Sequence, residues 1–162
     1  MIIASDLGSI GIVGTGGSSN ESRWLANEVA KGRQHLRESY VLGGAGNDAF
    51  RDLCTVVDES RFPNWDGYGA VPVSEQAFIL ACHFLRTMTL GSPSPEVGIE
   101  PDGDITFEWH RSAYRTLSVS VSPSGDLNYS ALIGPNRVFG TEAFLGDIPQ
   151  PILDLIRRIY AG

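Results

Sequence analysis

Lysine is almost missing from this chain: Lys31 stands alone against eleven arginines. Cysteine is nearly as scarce, with only Cys54 and Cys82. Two thiols in 162 residues cannot build a disulfide framework, and both fall in helical patterns, which predicts packed thiols in a reducing, cytoplasmic compartment. The three histidines, His35, His83 and His110, are scattered, with no C-x-x-C or H-x-x-x-H spacing, so no metal or cofactor is expected. No stretch approaches the ~18 apolar residues of a transmembrane helix. The opening MIIASDLGSIGIVGTGG is mildly apolar but carries Asp6 and no early Lys or Arg, which argues against a secretory leader. Positive charge is in deficit overall, twelve basic against nineteen acidic residues, a net charge of −7. A chain whose main partner was nucleic acid would need a basic face instead.

What the chain has in excess is glycine, nineteen residues, with nine prolines beside it. That predicts many tight turns and few long helices. Hydrophobic residues make up 42%, enough for a core and too many for wholesale disorder. Residues 1–19 are rich in Gly and Ser and are expected to form a flexible arm. The remainder, 20–162, reads as one domain.

A helical pattern covers about 20–34, capped by Ser19 or Asn20. Asn47 is the expected cap of a second helix reaching Glu59, with Phe50, Leu53, Cys54 and Val57 at i, i+3, i+4, i+7. The segment 62–74, FPNWDGYGAVPVS, is a loop by every local sign. Ser74 then caps a third helix to about Met88, with Ala77, Ala81, Phe84, Leu85 and Met88 on one face. Beyond Val97 the apolar period falls from 3.6 to 2. Ile105, Phe107 and Trp109 alternate with polar neighbours, as do Leu117, Val119 and Val121, then Leu127, Tyr129, Ala131 and Ile133. Short turn-forming connections separate these runs, and another strand is expected near 138–144. A last helix over 149–160 turns Ile152, Leu153, Ile156 and Ile159 inward. The expected fold is therefore α+β. N-terminal helices precede an antiparallel meander of four to five strands, a C-terminal helix follows, and the helices cover one sheet face.

Three segments invite a chemical reading. Gly14-Thr15-Gly16 precedes a helix like a dinucleotide fingerprint, but Ser19 occupies the third glycine position and the rest of the chain is not βαβ. In 64–70, Trp65, Asp66 and Tyr68 sit among two glycines. Either the aromatics plug the core while Asp66 makes an Asx turn, or the loop binds a ligand or partner. In 101–110, strand parity places Asp104, Thr106, Glu108 and His110 on one face, joined by Thr116, Ser118 and Ser120. Glu108 with Asp104 could form an acid/base pair and His110 a base, but an open polar face does not desolvate carboxylates. No catalytic residue is assigned.

The strings N-W-D-G-Y-G-A (64–70), P-x-P-E-V (93–97), P-D-G-D-I-x-x-E-W (101–109), L-S-V-S-V (117–121) and G-T-E-x-F (140–144) resemble a group of small bacterial proteins with no established activity. The resemblance spans roughly residues 62–160. It implies no catalytic residues, and it implies that the Trp65–Tyr68 loop packs against the Glu108–Trp109 strand.

The leading functional expectation is a non-enzymatic interaction domain that meets a protein partner with a basic surface, an antitoxin- or immunity-like neutraliser being one form. Trp65, Asp66, Tyr68, Glu108 and His110 are the candidate binding residues. The rival reading is a small-ligand or hydrolytic domain with its pocket between the 62–72 loop and the sheet. The third is a domain that self-associates through its meander edge or polar face, as a homodimer.

Overall fold

The computed structural model describes residues 44–161 and, upstream of them, the helical positions Arg23, Asn27, Ala30 and Lys31. The expected arm over 1–19, the glycine run 14–17 and the remainder of the 20–34 helix lie outside the described residues. Helix α1 (Gly44–Glu59) starts three residues before Asn47, the expected cap. Glycine is a poor helix former. Burial of Ala49, Leu53, Cys54 and Val57 on one face supplies the packing that carries the helix. Phe50 is half-buried, and Ala49 holds the inner position beside it. Helix α2 (Glu75–Thr87) is capped as its sequence demands, with Ser74 Oγ accepting from the Ala77 amide at 3.1 Å. It buries Ala77, Phe78, Ala81, Cys82 and Phe84. Helix α3 (Gln150–Tyr160) follows Pro149 at its N-cap and carries Arg157 and Arg158 in its last turn, where cations favour the helix dipole. Its inner face is Ile152, Leu155, Ile156 and Ile159. Leu153 is only half-buried, one position off that stripe.

Five strands follow α2: β1 (Glu96–Ile99), β2 (Ile105–Ser112), β3 (Arg115–Val121), β4 (Asp126–Ile133) and β5 (Asn136–Ala143). Each pairs antiparallel with its sequence neighbour in the order β1-β2-β3-β4-β5. The alternation read from Ile105 onward finds β2 to β4, and β5 begins two residues earlier than its pattern suggests. Strand β1 is the element the apolar alternation left unmarked, because it is four residues long and has Gly98 in it.

Parity sorts the sheet into two faces. Ile105, Phe107 and Trp109 stand opposite Val121, Val119 and Leu117, and all six are buried under the helices. At the centre of this core the Phe84 ring of α2 stacks on Phe107 with centroids 4.9 Å apart and planes 7° from parallel. Trp109 and Phe144 pack at tilted angles against Phe84, and Trp109 Nε1 donates to the Pro93 carbonyl at 2.9 Å. Cys54 and Cys82 lie in the same core as buried thiols with no disulfide between them. The opposite face carries Thr106, Glu108 and His110 against Ser120, Ser118 and Thr116, in the pairing that parity requires. Among the described residues no helix is long and apolar enough to cross a membrane.

Candidate functional site

The site grows out of the β1–β2 connection. Glu96, Gly98 and Glu100 are spaced by two, so they share one side of the strand, and pairing sets Glu96 opposite Glu108 and Gly98 opposite Thr106. A Cβ placed on Gly98 would meet nothing within 4 Å. The missing side chain leaves the floor of a shallow groove of about 360 Å³. Glu96, Glu100 and Glu108 flank it, and Thr106 and Ser118 line it. Glu100 Oε1 accepts from Thr106 Oγ1 at 2.6 Å and from Ser120 Oγ. That pair of bonds fixes one carboxylate over β2 and β3 and explains why Thr106, on the open face, is only 6% exposed.

The turn itself is closed by Gly103 N donating to the Glu100 carbonyl and Glu100 N to the Asp104 carbonyl, both at 2.9 Å. Asp102 Oδ1 accepts from the Asp104 amide at 3.2 Å. Asp104 therefore sits beside two other carboxylates. Partial burial, and then the charges of Asp102 and Glu100, push its pKa up to about 6 from 3.8. Among the described residues no Lys, Arg or His forms an ion pair with Glu96, Glu100, Asp102, Asp104 or Glu108. Fifteen acids face eight arginines over residues 44–161. Those arginines that form ion pairs do so elsewhere, on α1, just beyond its end and on α3.

A carboxylate raised in the folded state binds its proton more tightly there than in the unfolded chain. The penalty is absent below pH 3.8, grows up to about pH 6 and is complete above it. Asp104→Asn will thus stabilise the fold at neutral pH. A full linkage effect would approach about 3 kcal/mol, but solvent screening at this partly exposed group reduces it to about 1 kcal/mol. Urea unfolding of both proteins at about pH 7.5 and about pH 3.5 checks this, the gain appearing only at the higher pH. Equal midpoints at the higher pH would show that ionising Asp104 in the folded chain carries no net cost.

The aromatic loop adjoins this turn. Val71 N donates to the Pro101 carbonyl at 2.8 Å, and a Cβ on Gly103 would lie 3.1 Å from the Pro72 carbonyl oxygen. Inside the loop several polar groups hold its shape. Asp66 Oδ1 accepts from the amides of Tyr68 (2.8 Å) and Ala70 (3.0 Å), and these bonds hold its pKa below the ordinary carboxylate range. Asn64, in the left-handed region at φ 62, accepts from Gly69 N through Oδ1 at 2.6 Å. Trp65 Nε1 donates to the Val71 carbonyl at 3.1 Å.

The Asx turn expected of Asp66 is present, but Tyr68 is no core plug. It is 95% exposed, so it packs against neither the Glu108–Trp109 strand nor anything else. Trp65 is half-buried and stands outside the main apolar cluster.

Of the five candidate residues, the structure brings Glu108 into the groove and places Trp65, Asp66 and Tyr68 on the loop abutting the adjacent turn. His110 is exposed farther along β2, opposite Thr116 and away from the groove lining. The groove is lined by residues of β1, β2 and β3 and by Glu100 just beyond β1, and by no residue of the 62–72 loop. Glu96, Gly98 and Glu100 were missed by the sequence reading. Their signal is the period-two spacing through E-V-G-I-E, which apolar alternation does not mark. No group of three or more His, Cys, Asp or Glu among the described residues is arranged to hold a metal ion. Compared with known proteins, the chain matches no family model, no curated protein and no solved structure.

Proposed function

We propose that this protein is a non-enzymatic interaction domain that receives a basic segment of a partner protein on the β1–β2 end of its open sheet face. The observation that supports the reading is the set of five carboxylates without basic partners, gathered around a groove and its adjoining turn. Partial burial, and then the like charges of Asp102 and Glu100, make ionised Asp104 costly, and an arginine-rich segment would offset the like-charge part. The hydroxyls of Thr106 and Ser118 add neutral hydrogen-bonding partners along the groove.

The neighbouring loop supports the same reading. Its internal bonds present Tyr68 to solvent on a fixed frame, and an aromatic held out at low entropy cost is the usual anchor of a binding surface. A neutraliser of a basic partner, antitoxin- or immunity-like, is the concrete form we favour. The acidic field would speed encounter, and the groove and loop would fix the register.

Fluorescence anisotropy with a labelled arginine-rich peptide of about ten residues tests the site. The triple variant Glu96→Gln, Glu100→Gln, Glu108→Gln is expected to bind at least about tenfold more weakly. A charge-matched control, Asp48→Asn, Glu142→Gln, Asp147→Asn, should stay near the wild type. Equal losses in the two variants would mean that only net charge matters, and the groove reading would fall.

A further inference from the structure

The sheet has a second edge, and its chemistry differs from the first. Among the described residues β4 is the one element whose backbone runs beside β5, which forms the far edge of the sheet. The direction of its backbone groups follows from one bond. Phe144 N donates to the Gly125 carbonyl at 2.8 Å, which makes 125 and 144 a hydrogen-bonded pair of the β4–β5 ladder. Hydrogen-bonded pairs recur every second residue, so the even positions of β5 turn their N–H and C=O toward β4. Arg137, Phe139, Thr141 and Ala143 turn theirs outward.

The eight-residue strand contains no proline and no lysine, which are common edge protections, and its two charges, Arg137 and Glu142, cancel. Phe139 projects from its middle with 81% of its surface exposed.

We infer that β5 pairs antiparallel with β5 of a second copy of this chain, joining two five-stranded sheets into one across a two-fold axis. The axis must stand perpendicular to the sheet, which keeps each face on its own side and requires paired residue numbers to sum to an even value. Centring the axis at Phe139 satisfies this and uses the outward groups. Phe139 then faces Phe139 of the second copy across a hydrogen-bonded pair, about 5.5 Å between Cα atoms. Arg137 faces Thr141, Val138 faces Gly140 and Asn136 faces Glu142. No like charges meet, and two exposed aromatic rings come together.

Charge selects this edge and this occupant. Pairing through β1 would oppose the acidic edges of two chains that each carry a net charge of −7. Pairing through β5 sends those edges to opposite ends, about 40 Å apart across nine strand spacings and far beyond the Debye length. A basic partner would be drawn to the acidic end, not to this neutral strand.

Sedimentation velocity of the full chain from about 5 to about 200 µM tests the pairing. The wild type should approach a dimer as concentration rises. Thr141→Pro should be monomeric, because it removes an outward N–H and leaves the β4 ladder intact. Thr141→Val removes the hydroxyl bonded to Asn128 but keeps the N–H, and should dimerise. Phe139→Lys alters an exposed side chain and should weaken dimerisation at least about tenfold. Should the proline variant lose its circular dichroism spectrum, Phe139→Lys decides alone. A wild type that stays monomeric throughout overturns the inference, whatever else covers β5. So does a dimer indifferent to Phe139→Lys and, where it folds, Thr141→Pro.

Discussion

Phe107→Ala will cost this fold about 3–5 kcal/mol, the usual range for deleting a buried aromatic. Phe107 is fully buried at the centre of β2 and lies flat against Phe84 of α2. The loss therefore combines transfer of the ring, a cavity between helix and sheet, and the stacking geometry. Collapse cannot fill the space cheaply, because Phe84 is already held by Trp109 and Phe144 on its other sides. Domains of this size have about 5–15 kcal/mol of total stability, so the variant will retain a fraction of the wild-type value and will unfold at much lower urea concentration. Phe84→Ala in the same background should cost less than in the wild type, since part of its loss, about 0.5–1.5 kcal/mol, belongs to the stacked pair. A Phe107→Ala midpoint within about 1 kcal/mol of the wild type would mean that the stack is not the centre of this core.

Gly103→Val is expected to cost about 2–3 kcal/mol and to loosen the aromatic loop at the same time. Gly103 holds φ +90, a conformation that a β-branched residue scarcely reaches. Its hypothetical Cβ also lies 3.1 Å from the Pro72 carbonyl oxygen, a backbone atom that cannot rotate out of the way. The substitution thus strains the turn and pushes the loop off it, threatening the Val71–Pro101 bond that joins them. Hydrogen exchange at the Val71 amide should rise well beyond the global change. Wild-type stability together with wild-type exchange at Val71 would remove the turn from its role as the loop's seat.

The two variants mark the boundary of what the residues announced. The core was legible: Phe107, Trp109, Val119 and Leu127 follow a strict period of two, and Ser74 names its own helix start. Burial enforces those patterns, since a one-residue slip would turn every side chain to the wrong face. The acidic groove was half legible. Glu108 stood out because it lies in a long alternating strand. Glu96 and Glu100 did not, because the short strand that begins at Glu96 and ends just before Glu100 is defined by its pairing with β2 and not by its own apolar residues. The loop was legible in its turn chemistry and misleading in its aromatics. Asp66 announces an Asx turn from composition alone. Whether Tyr68 points in or out depends on Gly67 and Gly69, both at positive φ, and on bonds from Asn64 and Trp65 that no local rule specifies.

The strictly sequential order of the sheet also shapes how the chain reaches its fold. Each strand finds its partner across a connection of only two to five residues. Loop closures of that length carry little chain-entropy cost, and hairpins of this kind form on the microsecond scale. A nucleus at β2–β3 could zip outward to β4 and β5 without a distant segment having to arrive first. The longer-range step is the docking of α1 and α2 onto β1 to β3, and of α3 onto β2 to β4, where Phe84 meets Phe107. Folding should therefore be fast for a β-rich domain, with the helix-to-sheet seam closing last.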